Sequence, residues 1–304
     1  MMNRIELPEA SGAYRWYYVD VQAGEYTAVF IFMVGSIFSA RYSAALKKGG
    51  QPREHAAVNF ALYQKGVRTL WVLSEYGDVE RSRDGSGLRI GASWLRYQKH
   101  GLTAEVRDRT APFLLTSWGE PTQAFLELHP EGPLGEEVRL VEGLDHFWRP
   151  IAARSRATVR IPSHGLTFTG AAYHDGNHGL PALGSDLTGW DWARVHTPQA
   201  TRITYRPWAP GPATVVKVTH DEVSIHQKDL PLAPTHRTSW GLPVPDSLGV
   251  RRAPVLLESS PFYARSEASD AHASALGEVA DFARFHNRSV RWMAGFRTRM
   301  GGKA

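Results

Sequence analysis

The chain contains no cysteine. That excludes a disulfide framework, a thiolate nucleophile and any Cys-ligated zinc or iron–sulfur centre. It also fits a reducing compartment, so a cytoplasmic location is the expectation. Long apolar runs are missing as well. The longest, AVFIFMVGSIFSA at 28–40, falls short of the roughly 20 residues a membrane-spanning helix requires and is rich in β-formers. Arg4, Glu6 and Glu9 stand where an export signal needs an apolar core. There is no GxSxG, HExxH or Walker loop, and GSGLRIG at 85–91 has the wrong glycine spacing for a dinucleotide site and no βαβ unit around it. The net charge is +5, yet the basic residues are scattered, with only the doublets Lys47-Lys48 and Arg251-Arg252 standing out. No helix-turn-helix, finger or ribonucleoprotein signature accompanies them, so nucleic acid is not an expected partner. A weak attraction to an anionic membrane surface is the more useful reading of the charge.

What the chain has in abundance is aromatic surface: ten Trp, eleven Tyr and twelve Phe among 304 residues. Such rings supply buried area, line apolar pockets and stabilise cations. Alternation of apolar and polar residues is common and helical periodicity is scarce. YTAVFIFMV, HAAVNFALYQ, TLWVLSEY, LTAEVRD, QAFLELH, RATVRIP, LTFTGAAYHD, ATRITYRP, ATVVKVTHDEVSIHQ and PVLLESSPFYARS all read as strands. Turn clusters such as KKGGQP, RDGSG, EGPLGEE and APGPA separate them. The pattern predicts an all-β chain of antiparallel barrels or sandwiches rather than a parallel α/β fold. Length and strand count suggest two domains, 1–153 and 154–304, with a seam near PIAARSRA at 150–157. One short helix is expected near the C-terminus, around 280–293, with Phe282, Phe285 and Trp292 on one face.

One strand carries an unusual load. GAAYHDGNHG at 170–179 begins apolar and then gathers Tyr173, His174, Asp175, Asn177 and His178. In an extended strand, Tyr173, Asp175 and Asn177 share one face, and His174 and His178 the other. The first face would offer a carboxyl with two orienting groups. DHFWRP at 145–150 likewise puts His146 and Trp148 on one face, where Trp148 would serve as a wall or a π-surface for a cation. GWDWARV at 189–195 pairs Trp190 with Trp192 in the same way. The competing reading is that Asp175-Gly176-Asn177 simply ends a strand in a turn. His174 and His178 match no ligand spacing with a third partner, so no metal is expected.

These stretches carry a resemblance. WYYVD (16–20), GSIFSARY (35–42), HAAVNFALY (55–63), FWRPIAARSRATV (147–159), GAAYHDGNHG (170–179), GWDWARV (189–195), LESSPFYARS (257–266) and RFHNRSVRWMAGFRTRM (284–300) occur in order along nearly the whole chain. Together they resemble the carotenoid 1,2-hydratase family, also called hydroxyneurosporene synthases, of the lipocalin-like superfamily. The resemblance implies two related lipocalin-like β-domains. It implies addition of water, without a cofactor, across the terminal 1,2 double bond of an acyclic carotenoid such as neurosporene or lycopene. It implies Asp175 as the catalytic acid with Tyr173 as its motif partner, and equates Trp148 and His146 with the family's Trp and His. Two departures stand out: Ser260 occupies a place before Pro-Phe-Tyr where relatives often carry Asp, and FRTRM replaces the usual FRMPR.

The chemistry this implies is protonation of an alkene to a tertiary carbocation, followed by capture of water. An exposed Asp, with a pKa near 3.9, is ionised at neutral pH, so Asp175 needs an apolar pocket without an adjacent Lys or Arg. Trp148 and Tyr173 are the expected cation-stabilising faces, with Trp190 and Trp192 as substrate-binding wall and Asn177 or His146 holding the water. Tyr173 would alternatively hydrogen-bond Asp175. A long apolar substrate suggests a cytoplasmic protein peripheral at the inner membrane. Two other readings use the same residues: a lipocalin-like cyclase or pericyclase of terpenoids or polyenes, and a carrier of apolar ligands, which the polar Tyr173–Asp175–Asn177 face disfavours.

Overall fold

In the computed structural model, the described residues are 4–111, 119–230, 236–244 and 253–301; the Arg251-Arg252 doublet lies outside them. The described residues are all-β with short helices: two large sheets, antiparallel except where the short strand Arg299–Met300 lies parallel to Val67–Tyr76 at the edge of the first, and a two-stranded ribbon of His236–Arg237 and Pro243–Val244. The first sheet runs, in spatial order, Val67–Tyr76, Ala56–Gln64, Tyr26–Val34, Tyr14–Ala23, Leu166–Leu180, Asp145–Ile161, Pro121–Pro130, Gly101–Arg109, Ser93–Gln98 and Gly87–Ile90. It curls on itself, so that strand Val67–Tyr76 also meets strand Gly101–Arg109. The concave side closes over a core to which Val19, Phe30, Phe60, Val72, Leu95, Val106 and Val159 all contribute. The second sheet runs Val223–Lys228, Ala213–Val218, Thr201–Pro207, Gly189–His196, Ser274–Asp281, Tyr263–Ser269 and Val255–Ser259. One of its faces packs on the convex side of the first, forming a second, aromatic-rich core.

Strand Tyr14–Ala23 shows why one sequence can serve both cores. Its alternation sends Tyr17, Val19 and Val21 into the first core, and Tyr14, Trp16 and Tyr18 into the second. The strand is thus buried on both faces and lacks the apolar-in, polar-out pattern of a surface strand.

The expected seam at 153/154 is corrected by this topology. It falls inside the 17-residue strand Asp145–Ile161, which is paired on both sides within the first sheet. The chain leaves that sheet only after Leu180, crossing 181–188 to begin the second at Gly189. Length alone placed the boundary at mid-chain, but the second half of Asp145–Ile161 and the whole of Leu166–Leu180 still belong to the first sheet. The C-terminal helix also differs from expectation. Two helices form, Phe282–Phe285 and Arg288–Arg297, each capped by the side chain preceding it, Asp281 and Asn287. The break at 286–287 turns Trp292 away from buried Phe282 and Phe285, leaving it 67% exposed.

His174 lies on the face of Leu166–Leu180 that points into the first core. Its Nδ1 donates to the Tyr18 carbonyl at 2.8 Å and its Nε2 accepts from the Tyr97 hydroxyl at 2.9 Å. Burial lowers its pKa from 6.5 to about 4. The unfolded chain therefore binds this proton first as pH falls, and stability is lost between about pH 6.5 and 4, by up to ~3 kcal/mol. Urea titrations across that range should show the loss in the parent protein, and a His174→Gln variant, though weaker at pH 7, should show a shallower pH dependence. An equal slope in both would remove His174 as the cause.

Candidate active site

Strand Leu166–Leu180 does not turn at Asp175-Gly176-Asn177 but continues in register to Leu180. Opposite it, strand Tyr14–Ala23 pairs Asp20 with Tyr173, Tyr18 with Asp175 and Trp16 with Asn177. Directly opposed residues share a face, so six side chains converge on the side facing the second sheet. On the other flank, Trp148 pairs with Asn177. A bulge follows between Arg149 and Ala152. From the facing sheet, strand pairing sets Tyr205 and Glu278 either side of Trp192, and Arg265 beyond Glu278.

The gap between the sheets is a cavity of about 210 Å³. Asp175 and Asn177 line it with the rings of Trp16, Tyr18, Trp190, Trp192 and Tyr205. Asp175 is 4% exposed. Its Oδ2 accepts from the Trp148 indole N–H at 2.8 Å and from the Tyr173 hydroxyl at 2.7 Å. Its Oδ1 is buried without a hydrogen-bond partner. Loss of hydration on burial dominates the carboxyl, raising its pKa from 3.8 to about 8; the two donors pull it down, and the nearby charges of Glu278 and Asp20 push it further up. The acid is thus held neutral at pH 7. Because both donors occupy Oδ2, the proton belongs on Oδ1.

The cavity has a second polar end. Arg265, 1% exposed, reaches Glu278 Oε1, Glu258 Oε1 and the Tyr63 hydroxyl, each at 2.9 Å. Tyr63 in turn donates to Glu258. This guanidinium is therefore committed to two carboxylates, and among the described residues no arginine or lysine forms an ion pair with Asp175.

The structure brings Tyr173, Asp175, Asn177 and Trp148 together, with Trp190 and Trp192 across the gap. Two roles expected from the sequence are corrected. Trp148 and Tyr173 do not line the cavity; both are fully buried behind Asp175 and donate hydrogen bonds to it instead of presenting ring faces to a cation, which for Tyr173 is the alternative the sequence left open. His146 is also outside the cavity. Its ring nitrogens are taken by the Tyr14 hydroxyl at 2.9 Å and Asp186 at 2.8 Å, so neither can hold a water for Asp175. Asn177 does line the cavity and donates to the Tyr205 hydroxyl at 3.2 Å. His174 and His178 lie on the opposite face, bonded to Tyr97 and Glu137.

Trp16, Tyr18, Tyr205 and the Glu258–Arg265–Glu278 group were not expected at the site. For the first two a signal existed: in WYYVD the alternation places Trp16, Tyr18 and Asp20 on one face. The others depend on how the two sheets pack, which no local spacing encodes.

The donors to Oδ2 set up a specific test. Each hydrogen bond to a charged carboxylate contributes about 1.5–3 kcal/mol. Tyr173→Phe or Trp148→Phe should raise the Asp175 pKa and lower turnover by roughly 10- to 100-fold. The alkaline limb of the pH–rate profile should move upward. A fall in turnover with an unmoved limb would assign these residues a packing role only.

Comparison with known proteins identifies the family. The model of the family "Carotenoid hydratase CrtC" matches residues 30–301. The acyclic carotenoid 1,2-hydratase of Thiocapsa roseopersicina is 30% identical over 98% of this chain and 76% of its own length. That of Rubrivivax gelatinosus is 30% identical over 91% and 69%. The solved structure of CghA with Sch210972 is similar in fold alone, with 10% identity, a TM-score of 0.50 and 89% of each chain covered. With a family match across most of its length, this chain belongs to the carotenoid hydratase family CrtC.

Proposed function

We propose that the chain adds water across the terminal 1,2 double bond of an acyclic carotenoid, with Asp175 as the proton donor. The observation that carries this reading is the Asp175 carboxyl: neutral at pH 7, doubly bonded through Oδ2, with an unpartnered Oδ1 in an aromatic cavity.

The reaction balances with water alone. Oδ1–H transfers its proton to the less substituted alkene carbon, and the π electrons form the new C–H bond. This leaves a tertiary carbocation and a carboxylate whose Oδ2 is held by Trp148 and Tyr173. The rings of Trp16, Tyr18, Trp190, Trp192 and Tyr205 face the cation, and a desolvated ring face contributes about 2 kcal/mol. Water attacks the cation through an oxygen lone pair, and the resulting oxonium returns a proton to Oδ1. Tyr18, whose buried hydroxyl has no hydrogen-bond partner, and Asn177 are suited to hold that water. No other group need be consumed, so the reaction is cofactor-independent.

An apolar cavity of about 150 Å³ holds a benzene ring. The 210 Å³ here accommodates an end of the polyene, of roughly one or two isoprene units. The remainder must stay in an apolar phase, which makes the chain a peripheral membrane protein.

The test supplies lycopene or neurosporene in heavy-oxygen water. Label should appear in a tertiary alcohol. A ring-closed product without label would instead indicate a cyclase using the same acid.

A further inference from the structure

Helix Arg288–Arg297 contributes Val290, Met293, Ala294 and Arg297 to the cavity lining. Its outer side is unusual for a protein surface. Trp292 is 67% exposed and Phe296 64%, their rings 4.4 Å apart in an edge-on pair. Met293 and Trp240 are exposed at the same time as they line the cavity, so the apolar patch is continuous with the cavity mouth.

The segment that carries this patch has charge of one sign. Residues 282–301 contain five arginines and no acidic residue. Arg284 is paired with Asp281, and Arg299 with Asp108. Arg288 and Arg291 have no carboxylate partner among the described residues. Helix Ala40–Ala45, which packs against Arg288–Arg297, leads directly to exposed Lys47 and Lys48. A short helix with aromatic residues on its outer side and arginines around it suits the boundary between lipid headgroups and acyl chains.

We infer that helix Arg288–Arg297 docks on an anionic lipid bilayer through Trp292 and Phe296, with Arg288 and Arg291 on the headgroups, and so opens the cavity onto the membrane. This rests on the proposed carotenoid substrate for its purpose, though not for its observations. A polyene end would then pass from the acyl region by way of Met293 and Trp240 without crossing water. The exposed rings would bury apolar surface in the bilayer, and the arginines would select negative headgroups.

The experiment sediments the full chain with vesicles of phosphatidylcholine, with and without phosphatidylglycerol. Binding should be stronger with phosphatidylglycerol and weaken as salt rises. Trp292→Ser with Phe296→Ser should lower the partition coefficient by about tenfold or more on both vesicles. Arg288→Gln with Arg291→Gln should reduce only the preference for phosphatidylglycerol, again by about tenfold. None of the four lines the cavity, so all variants should hydrate detergent-dispersed carotenoid at the parental rate, which also shows that they are folded. Equal binding to both vesicles, or unchanged binding by the variants, overturns the docking surface, as would a concentration-dependent dimer that the aromatic variant abolishes. Vesicle binding as described, without hydration of either form of carotenoid, would leave docking standing and sink the substrate reading.

Discussion

Asp175→Asn is expected to lower hydration by about 10³-fold while making the protein more stable at pH 8. The loss follows from the role: a general acid contributes typically 10²- to 10⁴-fold, and an amide has no proton of comparable acidity to give. The gain follows from the burial. Asn has the shape of the neutral acid, its carbonyl oxygen can accept from Trp148 and Tyr173, and its NH₂ takes the place of Oδ1. The folded-state pKa of Asp175, about 8, is above its ordinary value of 3.8. The folded protein therefore binds this proton more tightly, and the stability so gained, complete below about pH 3.8, is lost as pH rises to 8. The full difference corresponds to ~6 kcal/mol, and water penetration around the ionised carboxyl reduces it. A gain of about 2 kcal/mol for the amide at pH 8, vanishing toward pH 4, is the expected result. Paired activity and denaturant measurements check both halves. Retained hydration would end the assignment of the acid, and unchanged stability at pH 8 would mean that the carboxyl is not held neutral by its surroundings. The parent should also lose activity as pH rises through about 8, where the carboxyl ionises.

The second large effect lies away from the chemistry. Asp20 on Tyr14–Ala23 and Arg194 on Gly189–His196 are both fully buried and form an ion pair between the two sheets. Arg194 also donates to Gln22 at 3.0 Å. Removing one partner of a buried pair leaves the other charge without compensation, at a cost of about 3–5 kcal/mol, whereas replacing both with apolar residues of similar volume is often neutral. Arg194→Met should therefore lower stability by about that amount at pH 7, and Asp20→Leu with Arg194→Met should recover most of it. Chemical denaturation of the singles and the double decides the matter. If Arg194→Met costs less than about 1 kcal/mol, the pair is not what ties the sheets together.

Much of the site was readable because it lies on one strand. The period of two placed Tyr173, Asp175 and Asn177 on a common face, and the chain obeys it. All-β character was equally legible from alternation and turn residues. What escaped is non-local. A Trp reads as a wall when only its ring is considered, yet the N–H of Trp148 is directed at the acid, and only the pairing of Asp145–Ile161 with Leu166–Leu180 reveals that. His146 looked available because its spacing from Trp148 was right; Tyr14 and Asp186, far from it in sequence, occupy its nitrogens. The boundary between the sheets was misplaced because strand count does not say which strands pair. Trp292 does not share a face with Phe282 and Phe285 as one continuous helix would require, because Asn287 caps a second helix that starts in a new direction.

The acid and the Trp190–Trp192 wall opposite it belong to different sheets, joined across the gap by side chains and not by strand pairing. The proton donor and much of the fit are consequently inherited separately. Substitutions along Gly189–His196 or Thr201–Pro207 can reshape the space offered to a polyene while the carboxyl, its two donors and the backbone that holds them stay as they are. New substrate preferences are therefore best sought by varying the second sheet alone.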